Sequence, residues 1–377
     1  MHKIPLIENA CKELLSYGIW DGRTRCKYLI KHYLLHRKMA KEDLIFWPTG
    51  LLAAGLWSFR EELIKDSQTE TAGETSESAE TQRLIKMIEN ALAAYYERWQ
   101  KKGMPLQVLD DLLSGEVLLY AFSEMVRTRT GSILGLSGKA VNDALERLAA
   151  YGANQPADGA GSFYYRPAHG NTAVFVDSIG LACPFLCQYG ETFGKSEYRE
   201  LAVRQIVNFL SYGMDGRTGL PYHGYDMTDG CKHGIIGWGR AVGWLLRGMA
   251  GCLSSEYGRQ RLETPYRELV KAVLPWQRPD GYFSWQLQAL EGPADTSATA
   301  MICAAIRQGM ELGILTDQEY EQALQTGKKA VYQSVKDGKV YACSGECEGF
   351  GQYPQRYGAY PWALGAALML ERVNEHE

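Results

Sequence analysis

Apolar positions along this chain recur at helical spacing almost throughout. Tyr198, Ala202, Ile206 and Phe209 fall on one helix face, and amphipathic stretches of this kind occupy 81–100, 141–151, 196–212, 264–276 and 317–335. Between them lie six segments of another character, each an aromatic or acidic residue followed by a run of small and large apolar residues. They read FWPTGLLAAGLWSF from Phe46, LDDLLSGEVLLYAF from Leu109, VDSIGLACPFLCQY from Val176, WGRAVGWLLRGMAG from Trp238, DTSATAMICAAIRQG from Asp295 and YGAYPWALGAALML from Tyr357. Their markers, Trp47, Asp110, Asp177, Trp238, Asp295 and Tyr357, are 63, 67, 61, 57 and 62 residues apart. A near-constant period of this size marks a repeat architecture.

Helices rich in Gly and Ala suit the crowded inside of a closed ring, and amphipathic partners suit its outside. The pattern predicts an all-α fold, an (α/α)6 barrel forming a single domain over 1–377. Helical material at 6–17 and 27–36 offers two candidates for the outer helix that closes the ring. Thr264-Pro265 has the form of a cap with proline at the first helical position, and Thr316 with Glu319 that of a capping box. Short β-like pieces at 162–166, 220–223, 282–285 and 340–343 are too brief for a principal sheet. Residues 66–82, without a large apolar side chain, read as a flexible loop within the ring.

The composition, 46% hydrophobic and 22% charged over 377 residues, is that of a globular protein. A net charge of -4 provides no global field for nucleic acid or an anionic membrane. Apolar runs such as 362–370 are about half the roughly 20 residues a membrane span needs. The start, MHKIPLIENACKE, lacks the apolar core of a secretory leader. Nine cysteines, an odd number, read as free thiols of a reducing, cytoplasmic compartment. Cys183/Cys187 and Cys343/Cys347 have no nearby histidine to complete a metal set.

In such a ring the markers begin inner helices and converge on one mouth, with Asp110, Asp111, Asp177, His223, Asp226, Trp238, Arg240 and Trp244 among its furnishings. Asp295 before Thr296-Ser297 reads as a helix cap. Asp177 follows the apolar Val174-Phe175-Val176, a low-dielectric approach in which a carboxyl can retain a proton. Of Asp110 and Asp111, one is read as capping and the other as facing the cavity. Aromatic faces at Trp238 and Trp244 suit sugar rings, and the Arg240 fork suits a carboxylate.

VDSIGLACPF, YHGYD, WGRAVGW, DTSATAM and YGAYPWALGAALMLE, in this order and spacing, resemble the unsaturated glucuronyl and rhamnogalacturonyl hydrolases of glycoside hydrolase families 88 and 105, the latter more closely. LDDLLSG is similar to the segment carrying a second family carboxylate. The resemblance implies removal of a C4=C5 unsaturated uronic acid from the non-reducing end of lyase-generated oligosaccharides, without metal or organic cofactor. It assigns the acid/base role to Asp177 and the second carboxylate to Asp110, with Asp111 as the alternative; His223, Trp238 and Arg240 match positions lining the uronide pocket, and Asp226 and Trp244 fall inside matched motifs. Ala173 and Phe175 stand where relatives carry Gln and Trp, and Ala241 and Val242 where Gly and Asn are frequent. The expected partner is an oligosaccharide, with no nucleic acid or membrane, bound by a monomer or homodimer. Two competing readings are a sugar epimerase, using His223 with His169 or His233 as bases, and a non-catalytic oligosaccharide-binding protein.

Overall fold

The computed structural model describes residues 3–17, 26, 29–30, 33–34, 44–69, 75–167, 170–347 and 349–370. Twelve α-helices among these residues alternate between an outer and an inner ring. The outer helices are α1 (Lys3–Ser16), α3 (Thr75–Lys101), α5 (Gly138–Ala153), α7 (Ser196–Tyr212), α9 (Glu256–Val273) and α11 (Gln318–Gln333). The inner helices are α2 (Trp47–Thr69), α4 (Gly115–Thr128), α6 (Asp177–Phe193), α8 (Gly239–Cys252), α10 (Thr296–Glu311) and α12 (Pro361–Met369). Each inner helix packs against the next, and α12 returns to α2 to close the ring. The expected barrel is therefore present.

Burial follows the two compositions. Helix α8 is buried over most of its circumference, from Gly239 to Leu246 and again from Gly248 to Cys252, as suits an element enclosed on all sides. Helix α11 buries only a stripe of Tyr320, Ala323, Leu324, Gly327, Ala330 and Val331. Small residues set the inner spacing: Gly180 of α6 lies against the backbone and ring of Trp244 on α8. The closing outer helix is α1, which packs on α3 and α12; of the other candidate, 27–36, only 29, 30, 33 and 34 are among the described residues.

Three local expectations are corrected. Helices α2 and α3 run on to Thr69 and from Thr75, so most of the supposed loop at 66–82 is helical, and 70–74 lie outside the described residues. Helix α9 begins at Ser255, whose hydroxyl accepts the Gly258 N–H at 2.9 Å, and passes through Pro265. Helix α11 has Asp317 as its N-cap, not the Thr316–Glu319 box. Among the described residues, nine two- or three-residue strands, β1 to β9 in chain order, join the helices. A sheet of three strands, β3 (Val174–Phe175), β4 (Gly224–Asp226) and β5 (Cys231–His233), is antiparallel in that order. Among the described residues, no helix is long and apolar enough to cross a membrane.

Candidate active site

The three-stranded sheet brings two distant motifs together. Phe175 pairs with Gly224, and the Val176 N–H donates to the His223 carbonyl at 2.9 Å. Asp177, the first residue of α6, therefore stands beside His223, whose Nε2 lies 3.0 Å from Asp177 Oδ2. His223 is buried, while the Asp177 side chain retains 14% of its exposure. The other ring nitrogen, Nδ1, lies 2.8 Å from the Tyr353 hydroxyl, which also accepts the Ile235 N–H at 3.3 Å. The His223 ring is thus held from both sides, by Asp177 at Nε2 and by the Tyr353 hydroxyl at Nδ1. Burial raises the Tyr353 pKa, so the phenol keeps its proton.

Asp110 belongs to a 3-10 turn, Leu109–Ser114, that leads into α4. It is fully buried and accepts from the Tyr165 hydroxyl at 3.0 Å and from Arg166 Nη2 at 2.8 Å. Burial nevertheless pushes its pKa above the ordinary range, against the pull of Arg166 and Tyr165, and the Asp177 charge adds to the rise. Asp111 accepts the backbone N–H groups of Gln107 and Val108 at 2.7 and 3.2 Å. It caps its own turn, so of the two neighbouring carboxylates Asp110 is the one joined to the mouth.

The remaining expected residues divide. Trp238 is buried against His223, ring centroids 4.6 Å apart, and Arg240 lies over it at 4.8 Å. Arg240 is itself buried; its Nη1 donates to the Ser344 carbonyl and hydroxyl at 3.0 and 2.8 Å, and its Nη2 to the Gly345 carbonyl at 2.8 Å. The Ser344 hydroxyl in turn donates to Asp295 Oδ2 at 2.6 Å, while Asp295 Oδ1 accepts the Ser297 N–H at 3.0 Å as the N-cap of α10. Trp244 is core, edge-on to Trp47 at 6.1 Å. Asp226 stitches a hairpin, accepting from Thr172 at 2.7 Å and from the Thr228 N–H at 2.8 Å. Burial opposes its charge, but these bonds win and lower its pKa.

Four residues at the mouth were missed by sequence reasoning: Tyr165, Arg166, Phe350 and Tyr353. Phe350 stacks on Phe175 at 4.0 Å and on His233 at 5.2 Å, extending a ladder that begins with Tyr165 on Phe175 at 4.8 Å. Phe350 and Tyr353 come from the non-periodic connection between β8 (Cys343–Ser344) and β9 (Tyr357–Gly358), where no hydrophobic period betrays them. His233 Nε2 is 2.9 Å from Asp229, and His169 lies outside the described residues. Among the described residues, no group of three or more His, Cys, Asp and Glu is arranged to hold a metal.

A cavity of about 500 Å³ opens at the other end, among the later turns of the inner helices. Among its lining charges, Arg247 pairs with Glu116 at 2.7 Å and Lys65 with Glu62 at 2.7 Å. It lacks the Asp, His and aromatic cluster of the mouth, where we place the candidate site.

A sequence model of Glycosyl Hydrolase Family 88 matches residues 71–372. The 24.9 kDa protein in picA locus of Rhizobium radiobacter is 32% identical over 166 residues, covering 40% of this chain and 70% of that protein. Among solved structures, a possible member of the GH105 family from Klebsiella pneumoniae superposes with a TM-score of 0.75 at 17% identity, covering 97% of this chain and 90% of the other. The unsaturated glucuronyl hydrolase of Bacillus sp. GL1, described as responsible for the degradation of glycosaminoglycan, gives 0.63 at 16% identity over 98% and 97%. At such identities the structures share the fold.

Proposed function

The chain belongs to glycosyl hydrolase family 88, and from that membership and the furnishing of its mouth we propose that it removes a C4=C5 unsaturated uronic acid from the non-reducing end of oligosaccharides. The observation that carries the proposal is Asp177 at the start of an inner helix, hydrogen-bonded to His223 and coupled in charge to the buried Asp110. Enol-ether hydration needs one carboxyl to deliver a proton to C4 and then, as carboxylate, to take a proton from the water that adds at C5. The resulting hemiketal opens and releases the rest of the chain. We assign Asp177 this role. Its Oδ2 is engaged by His223, which leaves Oδ1 to face the sugar. Asp110 is the second carboxylate, buried and held by the Tyr165 hydroxyl and Arg166.

Trp238 is buried and backs His223, while Phe350, half-buried at the end of the Tyr165–Phe175–Phe350 ladder, is the aromatic group offered to a sugar ring. The test uses the ultraviolet absorbance of the double bond: the purified protein is expected to abolish it in lyase digests of pectin, glycosaminoglycan or ulvan. Asp177→Asn, which keeps the shape and removes the proton transfer, is expected to lose about 10²-fold or more in kcat. Full activity in that variant sinks the assignment. Uronide binding without turnover would favour the non-catalytic reading.

A further inference from the structure

We propose that Arg166, rather than Arg240, recognises the carboxylate of the acidic sugar, and that this carboxylate displaces Asp110 as the counter-ion of Arg166 on binding. The inference rests on the unsaturated-uronide reading above.

A fork that grips an incoming carboxylate must have donors to spare and a path to solvent. Arg240 has little of either. It is 2% exposed, its two terminal nitrogens already donate to Ser344 and Gly345, and its guanidinium is packed among Trp238, Trp362 and Trp47 at 4.8, 5.7 and 6.0 Å. Pulling it toward a ligand would break the contacts that hold β8 against α8.

Arg166 differs on each count. Its side chain is 35% exposed, and among the described residues its one side-chain hydrogen bond goes from Nη2 to Asp110 Oδ2. Its Nε is buried without a partner, and so is Asp110 Oδ1. The unpartnered Nε–H represents a cost of roughly 1–3 kcal/mol that a carboxylate accepting from it would relieve. The guanidinium plane is held by the rings of Tyr165 and Phe46 at 5.0 and 5.5 Å. The backbone at Arg166 has φ +53, a left-handed conformation that a non-glycine residue keeps only where its surroundings impose it. The charged and titratable groups facing it are Asp110, Tyr165 and Glu346.

Bookkeeping of the proton completes the step. When the uronate carboxylate takes Arg166, Asp110 loses its cation inside a site whose burial already disfavours its charge. Asp110 then takes one proton from solvent, so substrate binding is accompanied by proton uptake and the net charge of the mouth is unchanged.

The experiment compares wild type, Arg166→Gln and Arg166→Lys on an unsaturated disaccharide and on the same sugar methyl-esterified at its uronate, following the double-bond absorbance, with melting temperatures for all three proteins. Wild type is expected to prefer the acid. In Arg166→Gln, whatever activity the loss of the Asp110 counter-ion leaves, the preference for acid over ester in KM is expected to shrink about 10- to 100-fold, the range for losing a charge-assisted bond. Arg166→Lys, which keeps the charge and loses the fork, should fall between. Wild-type preference retained in a folded Arg166→Gln, or in Arg166→Lys if Gln does not fold, overturns the proposal alone. Failure of wild type to consume either sugar overturns the uronide reading and, with it, the role given to Arg166.

Discussion

At the scale of single residues, the arrangement around Asp177 depends on a hydroxyl three motifs away. Tyr353 and Asp177 hold the two ring nitrogens of His223 between them, Nδ1 at 2.8 Å from the phenol oxygen and Nε2 at 3.0 Å from the carboxylate. Replacing Tyr353 by Phe keeps the ring against Trp238 and Trp285, at 5.7 and 5.8 Å, and removes only the hydroxyl. His223 is then free to exchange tautomers and turn away from Asp177. The expected result is a kcat lower by about 10-fold with KM little changed, the usual scale for removing an outer partner of a reacting group. Nitrogen NMR of His223 supplies the independent readout: an unaltered tautomer together with an unaltered kcat would remove Tyr353 from this role. Asp177 and His223 were legible in the sequence because each sits in a compact motif beside a helix start or a strand. Tyr353 and Arg166 were not, since each lies in an irregular stretch and gains its meaning only from a partner 130 or 56 residues away.

At the scale of elements, the apolar period located the helices well and their ends less well. Helix α7 spans 196–212 as read, because its buried Ala202, Ile206 and Phe209 define the face. The start of α9 was misread because Thr264-Pro265 looks like a beginning, whereas Pro265 is carried inside a helix that Ser255 starts ten residues earlier. Cap chemistry is local, and several positions in a chain can satisfy its pattern; tertiary packing selects which one does. The supposed loop after Asp66 failed for a related reason. Composition reports exposure rather than backbone conformation, and Ser-Glu-Ser-Ala-Glu-Thr-Gln contains good helix formers. These corrections have a measurable consequence. Ser255→Ala, which leaves the Gly258 N–H unsatisfied, is expected to cost about 1 kcal/mol in denaturant unfolding, and Thr264→Ala and Thr316→Ala close to nothing. Equal losses at the three sites would mean that the assigned caps are wrong.

At the scale of the whole molecule, a period of about 60 residues was enough to announce a ring, but not how the ring closes. Closure falls on α2 and α12, which meet at Gly55 and Gly365: a methyl group on Gly55 would run into the Gly365 carbonyl, and one on Gly365 into the backbone of Leu51 and Leu52. Neither helix can yield freely. Helix α12 is held on its far side by α10, and α2 by the turn that carries Asp110. Gly365→Ala is therefore expected to destabilise the barrel by about 1–3 kcal/mol or more, the range for overpacking a filled interior. Gly216→Ala, where the space is open, serves as the neutral control. The effect should also reach the mouth. Trp362, one turn before Gly365, lies 4.9 Å from Trp47 and donates to the Ser344 carbonyl at 3.3 Å, the same oxygen that anchors Arg240. Displacing α12 disturbs that shared anchor before the ring opens. On heating, Gly365→Ala should accordingly lose activity several degrees below its unfolding transition, while wild type loses both together. Coincident loss in the variant would show that closure and the mouth are mechanically independent.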